Sequence, residues 1–161
     1  MKAKGSLLLR TVLLLLLAGI AAGALNYCRR DGLPWYFEWV RHVETRARQA
    51  GVPLIGLHSM RLVATSVSTR ILDARPTADF RAGHIPRAVS LPFDHAEILL
   101  VSMQLELPRE QPIITYCARN DCDEGLDLAL FLHQIGYTNV SLFSGGLAEW
   151  RAGGGVVEVE P

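Results

Sequence analysis

Two cysteines in one polar loop are the residues of this chain best suited to chemistry. Cys117 directly follows the apolar run Ile113–Tyr116, and Cys122 comes five positions later, just before a helix-like stretch. In parallel α/β sheets, ligands bind beyond the carboxyl ends of the strands. A helix N-terminus there presents free N–H groups and a positive dipole end, which favour a thiolate, the reactive form of cysteine. We therefore predict that Cys117 is a catalytic nucleophile.

The loop after Cys117 is the predicted substrate-binding segment. Arg119 is its only cation and the best candidate for holding substrate charge. The carboxylates of Asp121, Asp123 and Glu124 would disfavour a thiolate or an anionic substrate nearby. Alternatively, Asp123 and Glu124 cap the following helix and point away from the site. We expect backbone amides of the loop to cradle the substrate, with contacts from Ala118, Arg119, Asn120, Asp121, Cys122 and Asp123.

Cys122 leaves three alternatives open. It could be a resolving thiol that attacks a persulfide or sulfenic acid on Cys117 and closes a disulfide. The pair could instead work as a redox dithiol, or Cys122 could be a packing residue without a role. The chain's three cysteines lack the two paired clusters of a structural zinc site. We predict no metal and, without a dinucleotide or Walker motif, no organic cofactor.

The surrounding pattern is that of an α/β domain. Short apolar runs alternate with helix-like stretches, which favours a largely parallel central sheet. The predicted strands cover residues 53–57, 70–74, 88–91, 112–117 and 140–143. The predicted helices cover residues 59–66, 77–82, 95–105, 124–135 and 147–152.

Four motifs in order resemble the rhodanese-like family. They are ILDAR (71–75), DFRAGHIPRAVSLP (79–92), Tyr116-Cys117 and FSGGLAEW (143–150). The resemblance covers about two thirds of the chain, residues 52–159. It implies a three-layer fold with a five-stranded, mostly parallel sheet and helices on both faces. It also implies a cysteine that becomes a persulfide while it passes sulfane sulfur from a donor such as thiosulfate to a thiophilic acceptor.

Their chemistry and positions favour structural roles for four other residues, Asp73, Arg75, Asp79 and His84. Arg75 lies four residues before Asp79, and we expect an ion pair that closes this loop. Histidine is a common catalytic base, but the family position that matches His84 belongs to the scaffold. Phosphatases of similar fold carry an arginine six positions after their cysteine. Here that position is Asp123, whose charge disfavours a phosphatase.

The leading functional prediction is a rhodanese-type sulfurtransferase with Cys117 as sulfur carrier. A thiol-disulfide redox protein that uses Cys117 and Cys122 is one alternative, and a non-catalytic rhodanese-like binding module is the other. The expected partners are a small sulfur donor, a thiol or cyanide acceptor, and a redox or sulfur-acceptor protein. The 16 basic and 16 acidic side chains cancel, so we expect no nucleic-acid binding.

The N-terminal segment is predicted to be a single-pass membrane anchor. Residues 1–27 combine a basic start with enough apolar residues to cross roughly 30 Å of hydrocarbon as a helix. Small residues near position 22 also suit a cleaved signal peptide. Residues 28–51 are predicted to be a juxtamembrane linker, and residues 52–161 the rhodanese-like domain. The aromatic group at 35–39 suits either an interfacial belt or a helix packed on the domain. We expect the domain on the extracytoplasmic, periplasmic side.

Overall fold

The structure is a computed structural model that describes residues 2–28, 42–102 and 108–160. The chain divides into two compact units, Met1–Phe37 and Glu38–Pro161. The first unit contains helix α1, Lys2–Cys28. Its segment Leu9–Cys28 has a mean hydropathy of 1.9 and is long and apolar enough to cross a membrane. A signal sequence shares these properties, so length and composition establish a candidate span.

The second unit is an α/β domain with a parallel sheet, as predicted. The sheet order is β2-β1-β3-β4, and every pair of neighbouring strands is parallel. The strands are β1 Arg70–Asp73, β2 Ala88–Ser90, β3 Ile113–Tyr116 and β4 Val140–Phe143. The helices are α2 His42–Gln49, α3 Leu57–Ala64, α4 Thr77–Ala82, the 3-10 helix Phe93–His95, α5 Ala96–Ser102, α6 Glu124–Gln134 and α7 Gly146–Ala152.

The predicted fifth strand over residues 53–57 is wrong, and the described part of the sheet has four strands. Leu54 makes a single parallel bridge to Leu142, with hydrogen bonds from the Ile55 amide to the Leu142 carbonyl and from the Leu142 amide to the Pro53 carbonyl. Pro53 has no N–H to extend the ladder, and α3 begins at Leu57. The last residues of the predicted helix 95–105 lie outside the described residues.

The sheet separates two apolar clusters, which makes the unit three layers deep. Successive side chains of a strand point to opposite faces. Accordingly, Ile113 of β3 belongs to the cluster that contains α2 and α6 residues, whereas Ile114 belongs to the cluster that contains α3 and α7 residues. All four residues of β3 are buried, as expected for a central parallel strand.

Helix α2 packs on the core although its sequence falls in the predicted linker 28–51. Val43 and Ala47 are buried and belong to the same cluster as Leu72 of β1. The alternative of a helix packed on the domain therefore describes residues 42–49. The second unit also includes residues before the predicted boundary at 52. The aromatic group at 35–39 lies outside the described residues.

Candidate active site

Cys117 lies at the carboxyl edge of the sheet, directly after β3, and is 4% exposed. Two amides of α7 fix its backbone. The Leu147 amide donates to the Cys117 carbonyl at 3.0 Å, and the Ala148 amide donates to the Ala118 carbonyl at 2.9 Å. The predicted nucleophile is therefore held by α7 as well as by its own strand.

Two glycines allow the helices to reach this backbone. A Cβ on Gly125, in the first turn of α6, would lie 3.2 Å from the Tyr116 carbonyl carbon and 3.3 Å from the Cys117 nitrogen. Gly146 has φ +58°, and a Cβ there would collide with the Cys117 carbonyl oxygen. The close approach of α7 to Cys117 thus requires glycine at position 146, whereas a Cβ at position 125 of α6 would make tight contacts that need its neighbours to shift slightly.

Cys117 and Cys122 form a disulfide in the structure. Their Cα atoms are 6.0 Å apart, within the usual range for a disulfide. The Cys122 amide donates to the Arg119 carbonyl at 3.1 Å, and this turn brings Cys122 back toward Cys117. Because that amide already has an acceptor, it would have to leave Arg119 to serve in the predicted substrate cradle. The disulfide fits the two alternatives in which Cys122 reacts with Cys117, as a resolving thiol or as half of a redox dithiol.

Glu124 contacts both sulfur atoms. The sequence had left open whether this carboxylate lies at the site or caps the following helix. Its Oε2 lies 2.7 Å from Cys122 Sγ and 3.5 Å from Cys117 Sγ. A disulfide sulfur has no proton to donate, so an S–H···O hydrogen bond forms here only when the pair is reduced. Asp123 behaves differently, because its carboxylate pairs with Arg46 at 2.8 Å.

Arg46 connects α2 to the start of α6. Its guanidinium bonds Asp123 at 2.8 Å and Asp127 at 2.9 Å. Burial lowers the pKa of Arg46, but the hydrogen bond and charge of Asp127, together with Asp123, raise the pKa overall. Ser144, in the loop before α7, donates to Glu44 of α2 at 3.2 Å. Both loops that flank Cys117 are therefore tied to α2.

The disulfide borders an acidic cleft of about 670 Å³. Five carboxylates and one guanidinium line it, and the guanidinium of Arg119 is paired with Asp121 at 2.6 Å. The predicted substrate cation thus already has a carboxylate partner. The lining residues are Phe93, Asp94, Ala118, Arg119, Asp121, Cys122, Asp123, Glu124 and Asp127.

Five of the six loop residues predicted to contact the substrate line the cleft. The sixth, Asn120, is not among the described residues that line it. Phe93, Asp94 and Asp127 were missed by sequence reasoning. Phe93 and Asp94 follow the edge strand β2 and reach the cleft through the 3-10 helix. Since carboxyl ends of parallel strands share one edge, their position after β2 was the available signal.

Asp73 and Arg75 form a buried pair beneath the site. The Arg75 guanidinium donates to both carboxylate oxygens of Asp73, and it also donates to the Gly83 carbonyl at 2.8 Å. Burial lowers the pKa of Arg75, but the hydrogen bond and charge of Asp73, together with Tyr116, raise the pKa overall. Arg75 thus turns back onto its own strand instead of forming the expected pair with Asp79. Asp79 lies in the first turn of α4, where a carboxylate interacts favourably with the helix dipole.

His84 is buried and lies in the scaffold. Its ring stacks on Phe80, with centroids 3.8 Å apart, and its Nδ1 lies 2.9 Å from the Phe80 carbonyl oxygen. Because a carbonyl only accepts, Nδ1 carries the proton. Nε2 lies 3.7 Å from Glu158. His84 is not among the described residues that line the cleft.

Tyr116 joins this scaffold to Cys117, the residue that follows it in the chain. It is fully buried, and its hydroxyl accepts a hydrogen bond from the Ile85 amide at 3.1 Å. Burial, followed by the neighbouring carboxylate of Asp73, raises the pKa of Tyr116 far above its ordinary value. The residue before Cys117 is therefore an uncharged hydrogen-bonding anchor.

The fold, the four sequence motifs and the cysteine at the sheet edge together define the family to which this domain belongs. Residues 60–153 match the model of the rhodanese-like domain. The chain belongs to the rhodanese-like domain family.

Solved structures show the same fold. The Alr3790 protein from Anabaena is 29% identical, with a TM-score of 0.56, and the match covers 66% of this chain and 92% of that one. A thiosulfate sulfurtransferase from Pseudomonas aeruginosa is 20% identical, with a TM-score of 0.60, over 76% of this chain and 23% of that one. At that identity the second likeness shows the fold alone.

A curated relative carries a similar segment. An HTH-type transcriptional regulator from Mycobacterium tuberculosis is 32% identical over 84 residues, 52% of this chain. The match spans only 35% of that protein's length. The shared segment is therefore one part of a larger, differently assembled protein.

Proposed function

We propose that the protein is a rhodanese-type sulfurtransferase that carries sulfane sulfur as a persulfide on Cys117. The observation that carries the proposal is the position of Cys117, which lies at the carboxyl end of β3 with its backbone held between α6 and α7. Membership of the rhodanese-like family supports it. A rigid backbone beside a cleft suits a nucleophile that must meet different sulfur compounds in turn.

The proposed cycle has two displacement steps. The Cys117 thiolate attacks the outer sulfur of a donor, forms a new S–S bond and expels the remainder of the donor; with thiosulfate, sulfite leaves. A thiophilic acceptor such as cyanide or a thiolate then attacks the outer sulfur of the persulfide and regenerates the Cys117 thiolate. No net oxidation of the protein occurs in this cycle.

The acidic lining restricts the donor. Asp94, Asp121 and Glu124 line the cleft, and the Arg119 guanidinium is already paired with Asp121. Like charges repel a thiosulfate dianion. We infer that an uncharged or cationic persulfide is a better donor than thiosulfate, and that the natural acceptor is a thiol on a small molecule or protein.

A second candidate function is thiol-disulfide exchange, which the Cys117–Cys122 disulfide favours. In this reaction a partner thiolate attacks one sulfur, and the second partner thiol releases the pair as a dithiol. The two functions are connected chemically. If the Cys122 thiolate attacks the inner sulfur of a Cys117 persulfide, the same disulfide forms and hydrosulfide leaves.

Intact-mass measurement on the reduced full-length chain in detergent tests both candidates. The expected result is a gain of one sulfur atom after incubation with an uncharged alkyl persulfide, mapped to Cys117 and removed by cyanide. Cys122→Ser should retain this gain, and Cys117→Ser should abolish it. A chain lighter by two hydrogens, restored by reductant and indifferent to donors, would favour thiol-disulfide exchange. Cyanide-dependent sulfur release that survives Cys117→Ser would exclude Cys117 as the carrier, whereas a chain that neither gains sulfur nor loses hydrogens would favour a binding module.

We also propose that α1 anchors the protein in the membrane with the domain on the extracytoplasmic side. The apolar segment Leu9–Cys28 supports the anchor. Lys2 and Lys4, near the N-terminus, support a cytoplasmic start. Protease digestion tests the orientation by comparing cells whose outer membrane alone has been opened with fully lysed cells. Digestion of the domain in both samples is expected, whereas protection until the inner membrane is lysed would reverse the orientation.

A further inference from the structure

We propose that the reduced Cys117–Cys122 pair and Glu124 form a binding site for a thiophilic divalent cation, of which Zn²⁺ is the representative, and that closing the disulfide releases the ion. This inference goes beyond sulfur transfer and does not depend on it. The cysteine spacing alone predicted no metal, because the third donor is a carboxylate that the sequence could equally assign to a helix cap.

The donor atoms are close enough for one ion. The two Sγ atoms and a carboxylate oxygen of Glu124 all lie within 4.8 Å of one another. In tetrahedral zinc sites the Zn–S distance is about 2.3 Å, which places two sulfur ligands about 3.8 Å apart. Once the S–S bond is broken, the thiolates can separate to such a distance with small side-chain rotations. Glu124 Oε2 already lies near both sulfurs.

The backbone holds two of the donors on a fixed framework. Cys117 is anchored by the amide of Leu147, and Glu124 is the first residue of α6, whose start is tied to α2 through Asp123 and Arg46. Cys122, which is half-buried, lies in the turn between them. A site with two fixed donors and one adjustable donor can adapt to an ion without repacking the core.

The charge of the cleft suits a cation better than an anion. Asp94 and Asp121 lie on the same cleft as Glu124. Their carboxylates lower the potential at the site and raise the local concentration of cations. Two thiolates and a carboxylate form a donor set that zinc favours, with water as fourth ligand. The same charges that oppose thiosulfate therefore favour the ion.

Oxidation and ion binding exclude each other. When a low-molecular-weight disulfide oxidises the pair, the two protein thiolates lose two electrons and form one S–S bond. The oxidant accepts these electrons and leaves as two thiolates, and the ion is released because its two sulfur ligands no longer carry charge. Zn²⁺ should also block the proposed persulfide reaction, because both use the Cys117 thiolate.

The test is a titration of the reduced full-length chain in detergent with Cd²⁺, followed by thiolate-to-cadmium charge-transfer absorption, and with Zn²⁺ against a chromophoric chelator. We expect one ion per chain and no charge-transfer band in the disulfide form. Cys122→Ser and Glu124→Gln should each weaken Zn²⁺ binding by about tenfold or more. Asp94→Asn is the matched control, since it removes one charge from the same cleft outside the donor set, and it should change the affinity by less than about threefold.

Three results would overturn the metal site: no charge-transfer band with the reduced protein, equal Zn²⁺ affinity of the disulfide form, or equal weakening by Glu124→Gln and Asp94→Asn. The last result would show bulk attraction instead of coordination. The persulfide experiment is run in excess chelator, so its outcome is independent of this one. Persulfide formation without ion binding would remove only the metal site.

Discussion

The carboxylate of Glu124 lies 2.7 Å from the sulfur of Cys122 and 3.5 Å from the sulfur of Cys117, so one side chain serves both members of the pair. A negative charge at this distance disfavours a thiolate, and an S–H···O hydrogen bond favours the thiol. Both effects protect the reduced pair from uncontrolled reaction. We therefore expect Glu124 to moderate the reactivity of Cys117.

Glu124→Gln should make the reduced cysteines more reactive. The substitution removes the charge that opposes a thiolate. Alkylation by iodoacetamide near neutral pH should therefore be several-fold faster, which corresponds to a fall of about one unit or less in the pKa of the thiol. Mass spectrometry of the alkylated peptides gives the rate at each cysteine. Asp121→Asn is the control, because Asp121 lines the cleft and pairs with Arg119. An equal acceleration by both variants would show that the charge of the cleft, and not the Glu124 contact, sets the reactivity.

Gly146→Ala should destabilise the domain and disturb Cys117. Alanine at φ +58° is strained, and its Cβ would also collide with the Cys117 carbonyl oxygen. Gly154→Ala is a matched control, since φ is +81° there but the space around its Cβ is open. We expect about 1 kcal/mol of destabilisation from strain alone at Gly154 and clearly more at Gly146. Urea unfolding measures both, and equal losses would show that the close approach to Cys117 costs nothing.

The sequence predicted the framework of the site well because its signals are local. A β-branched apolar run that ends in cysteine and continues into a helix places Cys117 at the sheet edge whatever the remaining contacts are. Gly145-Gly146 after the next strand marks a tight entry into α7 in the same way. The alternation of apolar runs and helical stretches gave the α/β class, which the structure and the family match confirm.

The sequence could not determine side-chain directions that depend on distant partners. Asp123 and Glu124 are adjacent carboxylates at one helix start, yet Asp123 pairs with Arg46, 77 positions away, and Glu124 turns to the sulfurs. Arg75 likewise had two carboxylates within reach along the chain and pairs with Asp73. The extra strand at 53–57 was predicted from an apolar run, but one bridge to Leu142 is all that forms, because an edge segment that starts with proline lacks a donor.

Tyr116→Phe should lower stability at neutral pH and reduce its loss in alkali. The substitution removes the acceptor of the buried Ile85 amide, which should cost about 1–3 kcal/mol. In the wild type, the raised pKa of Tyr116 keeps the folded state protonated while the unfolded state ionises above pH of about 10. The contribution of protonated Tyr116 to the free energy of unfolding is thus fully present below that pH. Above it, the free energy of unfolding falls by about 1.4 kcal/mol per pH unit.

Urea unfolding at several pH values between 8 and 11 separates these two effects. The variant should start lower and fall less steeply above pH 10, so the two curves converge. Parallel curves would show that Tyr116 ionises as readily in the folded state as in the unfolded one. That result would contradict its description as an uncharged anchor next to Cys117.

Helix α2 should contribute to the stability of the domain, although it precedes the segment that matches the family model. Val43 is 2% exposed and packs in the core, whereas Val67 is 87% exposed. Val43→Ala should therefore cost about 1–3 kcal/mol in urea unfolding of the full-length chain, and Val67→Ala should stay within about 0.5 kcal/mol of the wild type. Because the same helix carries Arg46, the Val43 variant should also loosen the loop that holds Cys122 and speed its alkylation. Equal stabilities of the two variants would mean that α2 is an attachment to the domain and that the predicted boundary at residue 52 is the energetic one.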